Sequence, residues 1–170
     1  MEKRRNLFLI GFMGAGKSAA AKKLHTMYGY EVVEMDSEIE QSQGKSISGI
    51  FRDEGEAYFR RLETELLKSF SGKEGYVVSC GGGAAMREEN VAEMKKNGKV
   101  VWLTASPGTI YERVKNSSSR PLLAGNMNVE YISGLMAERE EKYRNAADIV
   151  IDTDSRSLKE ICEEIYETAG

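Results

Sequence analysis

The sequence predicts an α/β protein: three layers, α/β/α, around a central five-stranded parallel sheet. Short apolar runs alternate with stretches of helical period along the whole chain. The runs are nearly all apolar rather than alternating, as in strands covered on both faces. With 170 residues, 41% hydrophobic and 30% charged, the chain fits one domain with its own core. No internal repeat or second boundary is visible, so residues 1–170 read as a single domain.

The elements follow in order. Leu7-Phe8-Leu9-Ile10 reads as a buried strand, and Ala19 to Met27 as a helix that Gly29 can close in the left-handed conformation. Glu31–Glu34 is the second strand. Tyr58–Phe70 is a helix with Phe59, Leu62, Leu66, Leu67 and Phe70 on one side. Tyr76–Ser79 is the third strand; Asn97-Gly98 ends a further helix before the fourth, Val100–Leu103. Ser106-Pro107 is an N-cap followed by proline at the first helical position. Val129–Tyr143 carries Val129, Ile132, Leu135, Met136 and Tyr143 at helical spacing, and Ile149–Ile151 is the fifth strand. Ser157-Leu158-Lys159-Glu160 fits a capping box for the last helix. Residues 115–128 lack a period and are rich in Ser, Asn and Gly. Such a long connection, carrying Arg120-Pro121, reads as a mobile lid.

Charge excludes some functions. Twenty-four basic residues against 27 acidic ones leave a net charge of −3, without the excess a general nucleic-acid binder needs. No apolar run approaches bilayer length, and the charged N-terminus is not followed by a signal-peptide core, so no membrane role is expected. Cys80 and Cys162 are far apart and His25 is the only histidine, which points to a reduced cytoplasmic protein without a zinc site.

The chemistry begins at Gly11-Phe12-Met13-Gly14-Ala15-Gly16-Lys17-Ser18. Two glycines five apart, then Lys and Ser, form the phosphate-binding loop pattern, here between a strand and a helix as it must be. Backbone N–H groups of Gly14, Ala15 and Gly16 and the helix N-terminus would cradle phosphates. Lys17 would reach the β- and γ-phosphates, and Ser18 would ligate Mg²⁺. The GTPase base-reading motif Asn-Lys-x-Asp is absent. Acidic groups instead follow the second strand, as Glu34 and Asp36, and the third strand runs into Gly81-Gly82-Gly83. Ligands of parallel sheets sit beyond the strands' carboxyl ends, which gathers these groups around one cleft. Asp36 is the candidate to orient an acceptor hydroxyl and take its proton, and three glycines let backbone approach a small ligand. Arg60, Arg120 and Arg139 suit a carboxylate or phosphate by chemistry, but spacing alone reads each of them as a solvated surface charge. The residues alone lead to a P-loop kinase of a small acceptor.

The pattern resembles the shikimate kinases nearly end to end. Gly11–Ser18, Glu34 to Glu40, Gly55-Glu56 with Phe59-Arg60 and Glu63, Gly81–Gly83, Arg120-Pro121-Leu122-Leu123, and Arg139 with Tyr143-Arg144 stand in the family's order. The resemblance implies transfer of the γ-phosphoryl of ATP to the 3-hydroxyl of shikimate, in aromatic amino-acid biosynthesis, by a Mg²⁺-dependent monomer. It implies that Lys17, Asp36 and Arg120 carry the catalysis, with Arg120 swinging in on the lid. Arg60 and Arg139 would grip the shikimate carboxylate, with Phe51, Phe59, Glu63, Gly81, Gly82 and Gly83 around the ring. Ala19, Arg113 and Arg156 would join the phosphate loop in holding ATP. Ser18 and Glu34 would hold the metal. The chain departs from the family at Glu34, where Asp is usual; equal charge and ligand type predict retained activity. A kinase of gluconate or of nucleoside monophosphates is the enzymatic alternative, and a nucleotide-binding module with degraded chemistry the other.

Overall fold

The computed structural model describes residues 4–115 and 128–170. The strands are β1 (Asn6–Ile10), β2 (Glu31–Glu34), β3 (Tyr76–Ser79), β4 (Gly98–Thr104) and β5 (Ile149–Asp152). The helices are α1 (Lys17–Tyr28), α2 (Met35–Gln43), α3 (Ile47–Glu54), α4 (Glu56–Lys68), α5 (Glu88–Asn97), α6 (Pro107–Val114), α7 (Val129–Ala146) and α8 (Leu158–Ala169). All five strands pair in parallel, in the order β2-β3-β1-β4-β5.

Central β1 is buried at every residue, as its unbroken apolar run requires. The edge strands differ: Glu31 of β2 and Val150 of β5 are exposed, so the expectation of full cover holds only for the centre of the sheet. Two cores lie on the two faces. One joins Leu7, Leu9, Val101 and Leu103 to Leu24 of α1 and Ile165 of α8. The other joins Phe8, Ile10, Val78 and Val100 to Leu67 of α4 and Met94 of α5. Helix α7 serves both, through Ile132 in the first and Tyr143 in the second.

Local signals act as expected. Gly29 closes α1 at φ 80°, a left-handed position that favours glycine. Ser106 caps α6 by accepting from the Thr109 N–H, with Pro107 in its first turn. Ser157 accepts from the Glu160 N–H while its hydroxyl donates to the Glu160 carboxylate. Residues 35–54, to which the sequence reading assigned no element, form α2 and α3. Both are short, so neither displays enough turns to reveal a period. They pack with α4 around a small separate core of Ile39, Ile50 and Phe59. On α4 the buried face carries Phe59, Glu63, Thr64 and Leu67, so a carboxylate and a hydroxyl stand where the pattern pointed to Leu62 and Leu66. Among the described residues, no helix is long and apolar enough to cross a membrane.

Candidate active site

Strand order decides the site. Because β2, β3 and β1 are neighbours, the residues past their carboxyl ends lie side by side. Those are Glu34 and Asp36, Cys80 to Gly83, and the loop from Gly11 to Gly16. The loop requires glycine where the chain turns. Gly14 and Gly16 have φ of 81° and 100°, and a Cβ on Gly11 would lie 2.5 Å from the Leu103 carbonyl oxygen. Lys17 opens α1 and donates its ammonium to the Gly11 carbonyl at 2.6 Å. A cavity of about 270 Å³ opens in front of Gly14, Gly16, Lys17, Ser18 and Ala19, with Ala15 buried behind.

Three oxygen groups meet beside the loop. The Ser18 hydroxyl donates to Glu34 Oε2 at 3.0 Å and lies 3.4 Å from the Ser79 hydroxyl. Among the described residues, Glu34 Oε1 is buried with no hydrogen-bond partner. A hydroxyl and an ionisable carboxylate with a spare buried oxygen suit a hard divalent cation such as Mg²⁺. Glu34, in place of the family's usual Asp, is long enough to reach Ser18. Sequence reasoning missed Ser79; its one signal is a polar residue closing the apolar run of β3, and it pairs in register with Glu34.

Adjoining the first cavity is a larger one of about 630 Å³, lined by Asp36, Phe51, Phe59, Arg60, Glu63, Gly81–Gly83 and Arg139. The small α2–α4 core holds one wall; Phe51 and Phe59 pack with ring centroids 5.0 Å apart. Arg60 donates to Glu63 Oε1 at 2.7 Å, and Glu56 lies 3.5 Å from its Nε. The Glu63 side chain is only 1% exposed, so Arg60 is held by a carboxylate that does not wander. Burial raises the Glu63 pKa above the usual carboxylate value, and Arg60 pulls it partly back. The glycine triplet is explained by what surrounds it. A Cβ on Gly81 would stand 2.9 Å from Asp36 Oδ1 and 3.2 Å from Glu63 Oε2, and one on Gly83 2.8 Å from Arg60 Nη1. On the opposite wall α7 brings Arg139 to 3.4 Å of the Gly82 carbonyl, to which the buried Tyr143 hydroxyl also donates at 2.7 Å. Tyr143 was not anticipated as part of this wall; on α7 it lies four residues, about one turn, after Arg139.

Asp36 lies between the two cavities and lines both. Crowding by protein atoms raises its pKa above the ordinary aspartate value. Lys17 and Arg60 oppose the shift; Glu40 and Glu34 add to it. Cys80, behind it, is buried, and that burial pushes its thiol pKa far up, which makes it inert rather than nucleophilic.

The β4–β5 flank holds a third cavity, of about 300 Å³, against Gly16 and Ala19. Both remaining arginines line it. Arg113 donates to the Gly14 carbonyl at 3.0 Å, and to the buried Thr153 hydroxyl at 3.3 Å. Arg156 pairs with Glu164 at 2.9 Å. The described structure thus brings together every expected site residue except Arg120, which lies outside the described residues, as do residues 116–127 of the expected lid.

This arrangement has counterparts. The family model for shikimate kinase matches residues 13–169. A shikimate kinase of Persephonella marina is 44% identical over 161 residues, covering 95% of this chain and 96% of that protein. The solved shikimate kinase from Acinetobacter baumannii in complex with shikimate has a TM-score of 0.88 at 31% identity, over 96% of this chain and 92% of that one. The Aquifex aeolicus enzyme has a TM-score of 0.80 at 37% identity, covering 95% and 94%. A match over nearly the whole length, on a chain whose loop, carboxylates, glycine triplet and arginines converge on one cleft, means that this protein belongs to the shikimate kinase family.

Proposed function

We propose that this protein transfers the γ-phosphoryl of ATP to the 3-hydroxyl of shikimate, with the roles of its residues as follows. The observation that carries the reading is the convergence of Asp36, Arg60, Glu63 and Arg139 on the glycine triplet, directly beside Lys17. Arg60 and Arg139 stand ready for a carboxylate, on opposite sides of Gly81–Gly83. A small cyclic acid fits between them, its ring against Phe51 and Phe59. Its far hydroxyl then faces Asp36, next to the phosphate loop.

Phosphoryl transfer asks mainly for position and charge. The backbone of Gly14 to Lys17 and the Lys17 ammonium hold the β- and γ-phosphates; Arg113 and Arg156 flank the base. Asp36 accepts a hydrogen bond from the acceptor hydroxyl and aims its oxygen. As that oxygen bonds to the γ-phosphorus, the bond to the bridging oxygen of ADP breaks, and Asp36 takes the released proton. The raised pKa of Asp36 makes its carboxylate a better base than an ordinary aspartate. Ser18 and Glu34, with Ser79 beside them, would hold Mg²⁺, which neutralises phosphate charge when bound. Arg120 brings a further cation to the transferring group. Residues 1–170 act as a single-domain cytoplasmic monomer, a reading that the two buried free thiols suit.

The test is ADP formation from MgATP with shikimate, against gluconate and quinate. Strong stimulation by shikimate alone is expected. Equal stimulation by gluconate would overturn the acceptor assignment.

A further inference from the structure

The opposite end of the sheet holds a second concentration of charge. Where the amino ends of β1 and β4 meet the turn before β3, a concavity of about 490 Å³ is lined by Arg4, Arg5, Lys73, Lys95, Lys96 and Lys99. Among the described residues, Glu74 is the one carboxylate in its lining. In a chain with a net charge of −3, that is a strong local reversal of sign. Strands of this length place it roughly 20 Å from the phosphate loop.

Helix ends do not account for it. Lys95 and Lys96 lie in the last turn of α5, where cations offset the helix dipole. Lys95 is also tied to Asp148 at 3.1 Å. Arg4, Arg5, Lys73 and Lys99 lie on no helix. Two of these cations lie over rings, of which only Phe70 shares the lining of the concavity. The Lys73 ammonium lies 5.5 Å from the Phe70 ring centroid and 5.7 Å from that of Tyr76. The Arg4 guanidinium lies 5.5 Å from Tyr30 and 5.8 Å from Tyr166. The side chains of Arg5 and Lys96 make no hydrogen bond or ion pair among the described residues.

The floor is rigid. Asn6, 1% exposed, donates to the Lys73 carbonyl at 2.8 Å and the Asn97 carbonyl at 3.1 Å, and accepts from the Tyr76 N–H at 3.0 Å. One buried amide thus ties together the three segments that carry the cations. The backbone that carries the cations is thereby fixed, so only their side chains need to be ordered around an ion.

We propose that this concavity is a second anion site, which binds a small oligophosphate. The cations line one open concavity whose size suits a compact anion, and a chain with a net charge of −3 lacks the excess of basic residues that an extended nucleic-acid backbone needs.

The probe is inorganic tripolyphosphate, added to protein whose cleft is already saturated with MgADP and shikimate. Amide shifts followed by NMR should move at Lys73, Asn97 and Lys99, and calorimetry should report the affinity. The exposed Arg5→Ala/Lys96→Ala double variant should bind tripolyphosphate about tenfold more weakly, with shikimate-stimulated ADP formation unchanged. Shifts confined to the Gly11–Ser18 loop, or an unchanged affinity in the double variant, would overturn the proposal. So would tighter binding of a short single-stranded oligonucleotide at the same amides, which would make this a nucleic-acid surface.

Discussion

On the proposed phosphate side of the cleft, one continuous stretch, Gly11 to Ser18, supplies loop, cation and hydroxyl. On the proposed acceptor side, Asp36, Arg60, Glu63, Gly81–Gly83 and Arg139 come from α2, α4, the turn after β3, and α7. The first side uses backbone conformation, enforced by glycines at positive φ. The second uses side chains held against one another across a glycine triplet in which a Cβ on Gly81 would crowd Asp36 and Glu63 and one on Gly83 would crowd Arg60. It also has its own small core, Ile39, Ile50 and Phe59. The difference teaches that a phosphate, the same in every nucleotide, can be held by a local motif. An individual acceptor must be recognised by groups assembled from distant parts of the chain.

Substitutions can break this division. The largest effect is expected from Asp36→Asn: kcat should fall about a thousandfold, while equilibrium binding of ATP changes by less than about twofold. Near-normal turnover would remove Asp36 from its role. Next come Arg60→Ala and Arg139→Ala, which should each raise KM for shikimate by about 10–100-fold without changing KM for ATP. The two are distinguishable by thermal unfolding. Arg60→Ala strands the buried Glu63 carboxylate and should cost about 2 kcal/mol of stability; Arg139→Ala, which breaks no ion pair among the described residues, should cost far less. If both arginine variants weakened ATP equally, the two-sided description of the cleft would fail. A smaller effect is expected from Gly83→Ala. The new methyl meets only the end of the Arg60 side chain, at a position with φ of −97°, so the arginine rather than the backbone shifts. KM for shikimate should rise roughly fivefold, with ATP unaffected.

The smallest effect concerns pH. Asp36 and Glu63 are harder to ionise in the folded protein, Glu63 chiefly because burial opposes its charge and Asp36 chiefly because crowding by protein atoms costs its carboxylate solvation. Between the ordinary values of 3.8 and 4.5 and the raised native ones, the folded state holds protons that the unfolded chain has released. Stability therefore falls as pH rises through that window and stays lower above it. Asp36→Asn removes its share of this penalty. Its Tm at neutral pH should exceed that of the unaltered protein, and the gap should close as pH drops below 3.8. A lower Tm at neutral pH would show that Asp36 stabilises the fold instead. The acid limb of kcat should likewise have its midpoint above the ordinary aspartate value.

Much of this was legible in the residues alone: five apolar runs, the caps at Gly29, Ser106 and Ser157, and the phosphate loop between strand and helix. Those features depend on neighbours in the chain, whose chemistry acts over a turn or two. Chemistry alone left Arg60 and Arg139 unassigned, and only the family resemblance offered them a role. Only the tertiary structure decided that β3 lies between β2 and β1, so that Gly81 stands against both Asp36 and Glu63. It alone decided that α4 turns Glu63 inward, that Tyr143 of α7 meets the Gly82 carbonyl, and that Asn6 ties together three segments that carry a cluster of cations. The physical reason is range. Hydrophobic period and capping act between residues a few positions apart, whereas strand order and helix rotation are settled by packing between segments 50 to 90 positions apart, such as Asn6 with Asn97 and Arg139 with Gly82.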